Sequence, residues 1–443
     1  MSTSPAGQEL PRIVSPPPGA ATLAARARGA RVFAPMGPSS PEPAEPSPTL
    51  LMHAARGSNV VDVDGNVYVD LAAGFGAQLL GHCHPRVLES LGRQSRRLTQ
   101  ALGDLYSSDQ KLLLGERLKQ LVPYDARVIL GQSGSDAVSA ALKTAQLYSG
   151  RPGVVAFRGA YHGLDYGALA ACGLRSSYRE PFSEQLNPHV TFVDYPSSER
   201  ELEETLQQAR AALGSGRIGA ILVEPILGRG GVVVPPQEFL PSIERLCDES
   251  GALSIVDEIW TGLGRSGKML FSAPALAADL VCLGKGLGGG LPISAVLGRA
   301  EVMQAWQRPR EVVHTSTFAG APLACACALA TLDALSEEQL VARSERVGAR
   351  FRDDLSRRLA QRFPDVHVRG QGMMLGIDLG AHPGKGFRLQ QRLLTRGYIT
   401  SSGGGEREVL VLTPPLNIAE ELLEAFTEAL LDALGELEHG HAT

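Results

Sequence analysis

Four short, almost wholly apolar runs recur through the middle of the chain: Gly153 to Phe157, Gly219 to Glu224, Ala252 to Asp257 and Asp279 to Leu283. Helical or turn-rich segments separate them. A strand that is apolar on both sides has no face to give to water, so it must be covered twice. Such strands alternating with helices predict an α/β fold, with a mainly parallel sheet flanked by helices. Functional groups in sheets of this kind collect where the strands end, and Glu224, Asp257 and Lys285 all fall at or just past such ends.

The flanking text is different. Residues 1–50 are rich in Pro, Ala, Ser and Gly, and Pro16 to Pro18 and Ser39 to Pro46 argue against regular structure, so a mobile arm is expected there. Val60 to Asp70 alternates around an Asp-Gly-Asn turn and predicts a hairpin. Helices are expected from Pro85 to Leu102, from Ser108 to Leu121, and from near Ser135 to Gly150. Helical text over Leu323 to Leu359 is followed by strand-like Val366 to Arg369, Met374 to Leu379 and Val409 to Leu412, and then by an amphipathic helix from Ala419 to about Leu437. At 443 residues the chain is long enough for two units. The division expected is an arm over 1–50, a large domain over 76–325, and a smaller α+β domain built from 51–75 and 326–443.

Lys285 is set in glycine, Leu283-Gly-Lys-Gly-Leu-Gly-Gly-Gly-Leu-Pro292, directly after an apolar run. An ammonium is strongly hydrated and costly to bury, so a lysine held in a tight turn at a strand end suggests an amine placed for chemistry. Asp257 ends the preceding strand-like run, 28 residues earlier, a separation that suits one helical crossover between neighbouring strands. Gly131-Gln-Ser-Gly-Ser-Asp-Ala-Val138 runs into a helix, and its glycines, serine hydroxyls and first amides could hold an anion. An ordinary helix cap explains Ser135 equally well.

The formal charge of −5 gives no sign of a basic surface for nucleic acid or membrane. The six cysteines lack the spacing of a zinc site or a disulfide frame, and His82-Cys83-His84 has no complementary second cluster, so no metal is expected. No basic region followed by an apolar stretch opens the chain, and a cytoplasmic location is expected.

Taken in order, Ser133-Gly-Ser-Asp-Ala-Val138, Phe157-Arg-Gly-Ala-Tyr-His-Gly163, Val223-Glu-Pro225, Asp257-Glu-Ile-Trp-Thr-Gly-Leu-Gly-Arg-Ser-Gly267, the Lys285 stretch and Thr317-Phe-Ala-Gly-Ala-Pro-Leu-Ala324 resemble the successive signatures of class III aminotransferases, fold-type I enzymes that use pyridoxal 5'-phosphate. The resemblance covers roughly residue 50 to the C-terminus. It implies that Lys285 forms the Schiff base with the cofactor and then moves a proton, and that Asp257 pairs with the pyridinium nitrogen. It implies that Ile259 and Tyr161 pack the two ring faces with His162 close by. Ser133, Gly134 and Ser135 would hold the phosphate, joined by Thr317 of a neighbouring subunit, so a homodimer with composite active sites is expected.

Four positions depart from the 4-aminobutyrate and ornithine branches of that family. Leu164 stands where the 4-aminobutyrate enzymes carry an arginine for a distal carboxylate. Val411 replaces an arginine for the α-carboxylate, and Arg229 replaces the glutamate that gates it. Losing both members of a buried ion pair leaves neither charge alone. Trp260 stands where a glutamine often donates to the cofactor's 3′ oxygen. Arg229 and Trp260 are therefore candidate substrate residues, and Phe75 is a third candidate. The expected activity is ping-pong transfer of an amino group from an amine or amino-acid donor to a 2-oxo acid or aldehyde. The alternatives are an aminomutase, decarboxylase or racemase on the same fold, or a non-catalytic scaffold.

Overall fold

The computed structural model describes residues 5–34, 50–103, 105–380 and 384–439. Its centre is a seven-stranded sheet in the order Ala126–Gly131, Ser294–Arg299, Leu280–Leu283, Leu253–Asp257, Ile218–Val223, Gly153–Phe157 and Val190–Val193. Ser294–Arg299 runs antiparallel to both its neighbours, and the other pairings are parallel. The four apolar runs are thus strands, as their lack of a polar face requires, and each is buried along its whole length. The strands at Val190–Val193 and Ser294–Arg299 were not anticipated.

Asp257 pairs with Cys282 across parallel neighbours, so the end of one strand lies beside the turn that carries Lys285. The connection between them corrects the expected crossover. Residues 258–279 contain turns and bends and no helix. Backbone turns such as Leu263 N to Met269 O (2.7 Å) and Gly264 N to Lys268 O (3.0 Å) shape this connection, and buried side chains anchor it. Glu258 accepts from Ser272 N (2.7 Å) and from the Thr261 hydroxyl. Arg265, fully buried, donates through Nη1 to Met373 O (2.9 Å) and to Pro414 O, tying this connection to the C-terminal part of the chain.

Two smaller sheets accompany the large one. One has the order His367–Gln371, Met374–Asp378, Val409–Leu412, Ser401–Gly403. The other joins Met52–Arg56, Asn59–Asp62 and Val67–Asp70 to Tyr398–Ile399, bringing the two ends of the chain together. The long helical text of 323–359 is two helices, Pro322–Glu337 and Leu340–Arg362, broken where Gln339 adopts φ +51°.

Of the arm expected over 1–50, residues 1–4 and 35–49 lie outside the described residues. Residues 5–34 lie along the hairpin Asn59–Asp70. Asn59 exchanges hydrogen bonds with Glu9 (both 2.8 Å), Asn66 Oδ1 accepts from Val14 N and Ser15 N, and Arg12 pairs with Val67 in both directions. A helix, Ala20–Gly29, begins just after the prolines because Asp64 accepts from Ala21 N and Thr22 N, capping it from a distant part of the chain. The hairpin's polar side chains therefore have partners in the arm.

Candidate active site

Beyond the ends of the parallel strands a pocket of about 180 Å³ is lined by Gly134, Ser135, Tyr161, His162, Glu224, Asp257, Ile259, Trp260 and Lys285, with Gly163 at its side. Each comes from the segment following a strand end, which is why residues more than a hundred positions apart meet here.

Lys285 opens a single 3₁₀ turn, Lys285–Gly288, with φ +41°. A non-glycine residue in that region is strained, and the packing around it holds the strain. Gly286 permits the turn, since a β-carbon there would lie 2.9 Å from Leu79 Cβ. Lys285 Nζ stands 4.4 Å from the centre of the Trp260 ring. Desolvation pulls its ammonium down to about 8; the Asp257 and Glu224 carboxylates oppose this, and Arg229 and Arg265 reinforce it.

Asp257 is buried, accepts from Ile259 N (3.0 Å) through Oδ1, and lies 2.8 Å from His162 Nδ1 through Oδ2. That contact places the imidazole proton on Nδ1, and leaves the buried Nε2 without a partner among the described residues. Glu224, noted in the sequence only as a strand end, lines the pocket. It holds Tyr161 N (2.6 Å) on one carboxylate oxygen and Gly228 N (2.9 Å) on the other, and burial pushes its pKa up. Its sequence signal was a carboxylate and a proline directly after an apolar strand.

Gly134–Ser149 is a 16-residue helix whose first amides open on the pocket. Gly134 and Ser135 line it. Ser133 does not: its hydroxyl caps the helix by accepting from Asp136 N (3.1 Å). Ser135 Oγ accepts from Asp165 N (3.0 Å). Thr317 is exposed and outside the pocket of its own chain, with its carbonyl bonded to Gln100 Nε2.

Trp260 packs with Ile226, Val232, Met374, Val409 and Val411, so the Val411 position belongs to an apolar wall. The indole lies between two glycines. A β-carbon on Gly76 would stand 2.5 Å from Nε1, and one on Gly228 would stand 2.3 Å from Cε3. Arg229 extends its guanidinium over Tyr161, 4.7 Å from the ring centre. Phe75, with φ +56° and 57% exposed, lines a neighbouring cavity together with Arg229.

These residues suit pyridoxal phosphate. A buried carboxylate is present for a ring nitrogen, helix amides for a phosphate, and a desolvated amine for an aldehyde. The indole Nε1 and His162 Nε2 are buried polar atoms without partners among the described residues, as expected where a polar ligand belongs.

The class-III aminotransferase family profile matches residues 41–434. An acetylornithine aminotransferase of Methanopyrus kandleri is 37% identical over 387 residues, covering 86% of this chain and 92% of that protein. An isoleucine 2-epimerase of Lentilactobacillus buchneri is 32% identical, covering 89% and 92%. The structure of an ornithine aminotransferase from Toxoplasma gondii, with partial occupancy of pyridoxal phosphate at its active site, superposes with a TM-score of 0.83 at 31% identity, covering 94% of this chain and 95% of that one. The sequence resemblance, the fold and the pocket agree, and the chain belongs to the class III aminotransferases, enzymes of amino-group transfer whose cofactor is pyridoxal 5'-phosphate.

Proposed function

We propose that Lys285 is the catalytic amine of a ping-pong aminotransferase, which takes the amino group of an amine or amino-acid donor and passes it to a 2-oxo acid or aldehyde. The observation carrying this reading is a desolvated lysine amine in one pocket with the Asp257–His162 pair, reached from neighbouring parallel strands. When bound, the cofactor supplies an aldehyde for amines and a ring that withdraws electrons from the carbon beside the nitrogen. Lys285, with its pKa lowered to about 8, presents a useful fraction of free amine near neutral pH. Its Nζ would carry a proton from the substrate carbon to the cofactor carbon that bore the aldehyde within the first half-reaction, and in the opposite sense within the second. Asp257, oriented by His162 and by Ile259 N, keeps the cofactor's ring nitrogen protonated. The Gly134 and Ser135 amides would hold the phosphate, and Ile259 and Tyr161 would pack the ring.

The reading includes a homodimer. Leu102, Leu105, Tyr106, Val312 and Phe318 are each more than half exposed, and the Gln100–Thr317 bond ties their two segments together. A second copy would cover them and bring Thr317 to the partner's phosphate. The division into a large domain over 76–325 and a smaller one from 51–75 and 326–443 belongs to the same proposal. So does a cytoplasmic location, supported by five buried cysteine thiols.

The test is the visible absorption of the purified protein with and without amines and amino acids, beside Lys285→Ala. A cofactor band that changes with particular donors, and that the variant lacks, supports the reading; an unchanged band in the variant defeats it. The epimerase relative makes racemisation the second reading. Product analysis separates the two, since transfer releases an oxo product and racemisation only inverts a centre.

A further inference from the structure

Beside the lysine pocket lies a second cavity of about 120 Å³, and three arginines line it: Arg175, Arg229 and Arg407. They come from three distant segments tethered to one another. Gly404 N donates to Arg229 O (2.9 Å), and Arg175 donates through Nε to Gly405 O (2.9 Å), so the loop carrying Arg407 is held against the other two. All three are half-buried, and among the described residues none is ion-paired with a carboxylate. Arg369, which reaches Gly231 O close by, differs in this respect: Asp378 neutralises it at 2.7 Å. Glu408 is occupied with Glu406 N and does not line the cavity. Like charges gathered in a partly desolvated space repel, and a protein keeps such a cluster where an anion completes it.

The cavity connects to the chemistry through Arg229, whose guanidinium lies on Tyr161, a wall of the lysine pocket. Glu224 fixes this arrangement, because it holds the backbone of both Tyr161 and Gly228. Trp260, Val411 and Met374 form an apolar cluster beside the lysine pocket. Phe75 and Arg407 both line the cavity with positive φ, +56° and +57°, the kind of backbone strain that collects at ligand sites.

We infer that this cavity is the carboxylate subsite, and that the substrates carry one carboxylate, held by Arg229 with Arg175 and Arg407, while the rest of the molecule rests uncharged against the Trp260 wall. The inference rests on the lysine pocket being the place of amino transfer. Arginine recognises a carboxylate through paired, charge-assisted hydrogen bonds, which an amide of the same shape cannot reproduce.

Calorimetric titration of the cofactor-loaded protein with pentanoate and with pentanamide tests it. Pentanoate is expected to bind at least about tenfold more tightly than its amide, with the preference weakening in salt. Arg229→Gln should remove most of that preference, weakening pentanoate far more than pentanamide. Arg407→Gln should reduce it less, and Arg229→Lys should keep part of it. Equal affinity of the two probes, no binding of either, or a preference that survives both glutamine variants overturns the inference. If Arg229→Gln does not fold, as judged by circular dichroism, Arg407→Gln and Arg229→Lys decide. Failure here is distinct from failure of the transfer reading: a band that no amine alters defeats amino transfer even where pentanoate is preferred, and amino transfer indifferent to carboxylates defeats only the subsite.

Discussion

The strand Leu253–Asp257 is entered and left by two different kinds of connection. It is entered from the helix Phe239–Ser250, which turns Phe239, Leu240, Ile243, Leu246 and Cys247 inward and ends at Gly251 with φ +64°. It is left through residues 258–279, which have no helix and are held by the buried Glu258 and Arg265. The first connection closes its backbone in one regular helix and needs only an apolar stripe. The second depends on particular side chains, and it lies between the two residues that matter most, Asp257 and Lys285. A helix there would cover the sheet, whereas the irregular path lets Ile259 and Trp260 turn into the pocket. Regularity gives stability that many sequences can provide, and irregularity gives placement that few can.

The sharpest way to break this contrast is Arg265→Ala. It removes two bonds to buried carbonyls and opens a void, with an expected loss of about 3–5 kcal/mol in urea unfolding. Arg265→Met should recover much of this, since Nε and Nη2 of the arginine lack partners among the described residues and methionine retains most of the volume. In the helical connection, Leu246→Ala should cost about 2–4 kcal/mol through the cavity it leaves, while cofactor affinity stays unchanged. If both variants weaken the cofactor equally, the contrast fails.

The next effect concerns reactivity. Only neutral Lys285 is nucleophilic, so labelling of the cofactor-free protein by an acylating reagent, followed by mass spectrometry, should rise about fiftyfold from pH 6 to pH 8 and level off above that. Folded Leu246→Ala should keep this midpoint. Folded Arg265→Met should raise it, because a like charge that disfavours the ammonium is gone. A midpoint near that of an exposed lysine in the parent protein would remove the argument for desolvation. The smallest effect is on the surface of the helix Glu199–Leu213, in another regular connection. The Arg200–Glu204 pair spans 3.9 Å with both side chains exposed, and Arg200→Ala should change stability by less than about 0.5 kcal/mol.

The same contrast explains what the sequence made legible. The apolar strands, the helix Gly134–Ser149 and the hairpin followed from periodicity and turn chemistry, which are local. Lys285 and Asp257 stood out because each ends an apolar run, and parallel pairing brings such ends together. The helix-free path over 258–279 was not legible, since Glu258 and Arg265 act through Ser272, Met373 and Pro414, and no local pattern encodes those partners. The helix Ala20–Gly29 was missed for the same reason: its cap, Asp64, is supplied from the hairpin. Arg229 drew attention as a departure from the family, but its companions Arg175 and Arg407 lie in unrelated stretches that only the fold assembles.

Trp260 constrains how this sequence can change. With the indole in place, neither Gly76 nor Gly228 can accept even a methyl group. The three positions therefore behave as a ratchet. Tryptophan could enter only where both glycines already stood, and neither glycine can be replaced until tryptophan leaves. A lineage or a laboratory library that samples one position at a time will find the two glycines immovable, whereas one that first replaces Trp260 with a small residue will relieve the clash at both, leaving Gly76 restrained only by its φ of +84°.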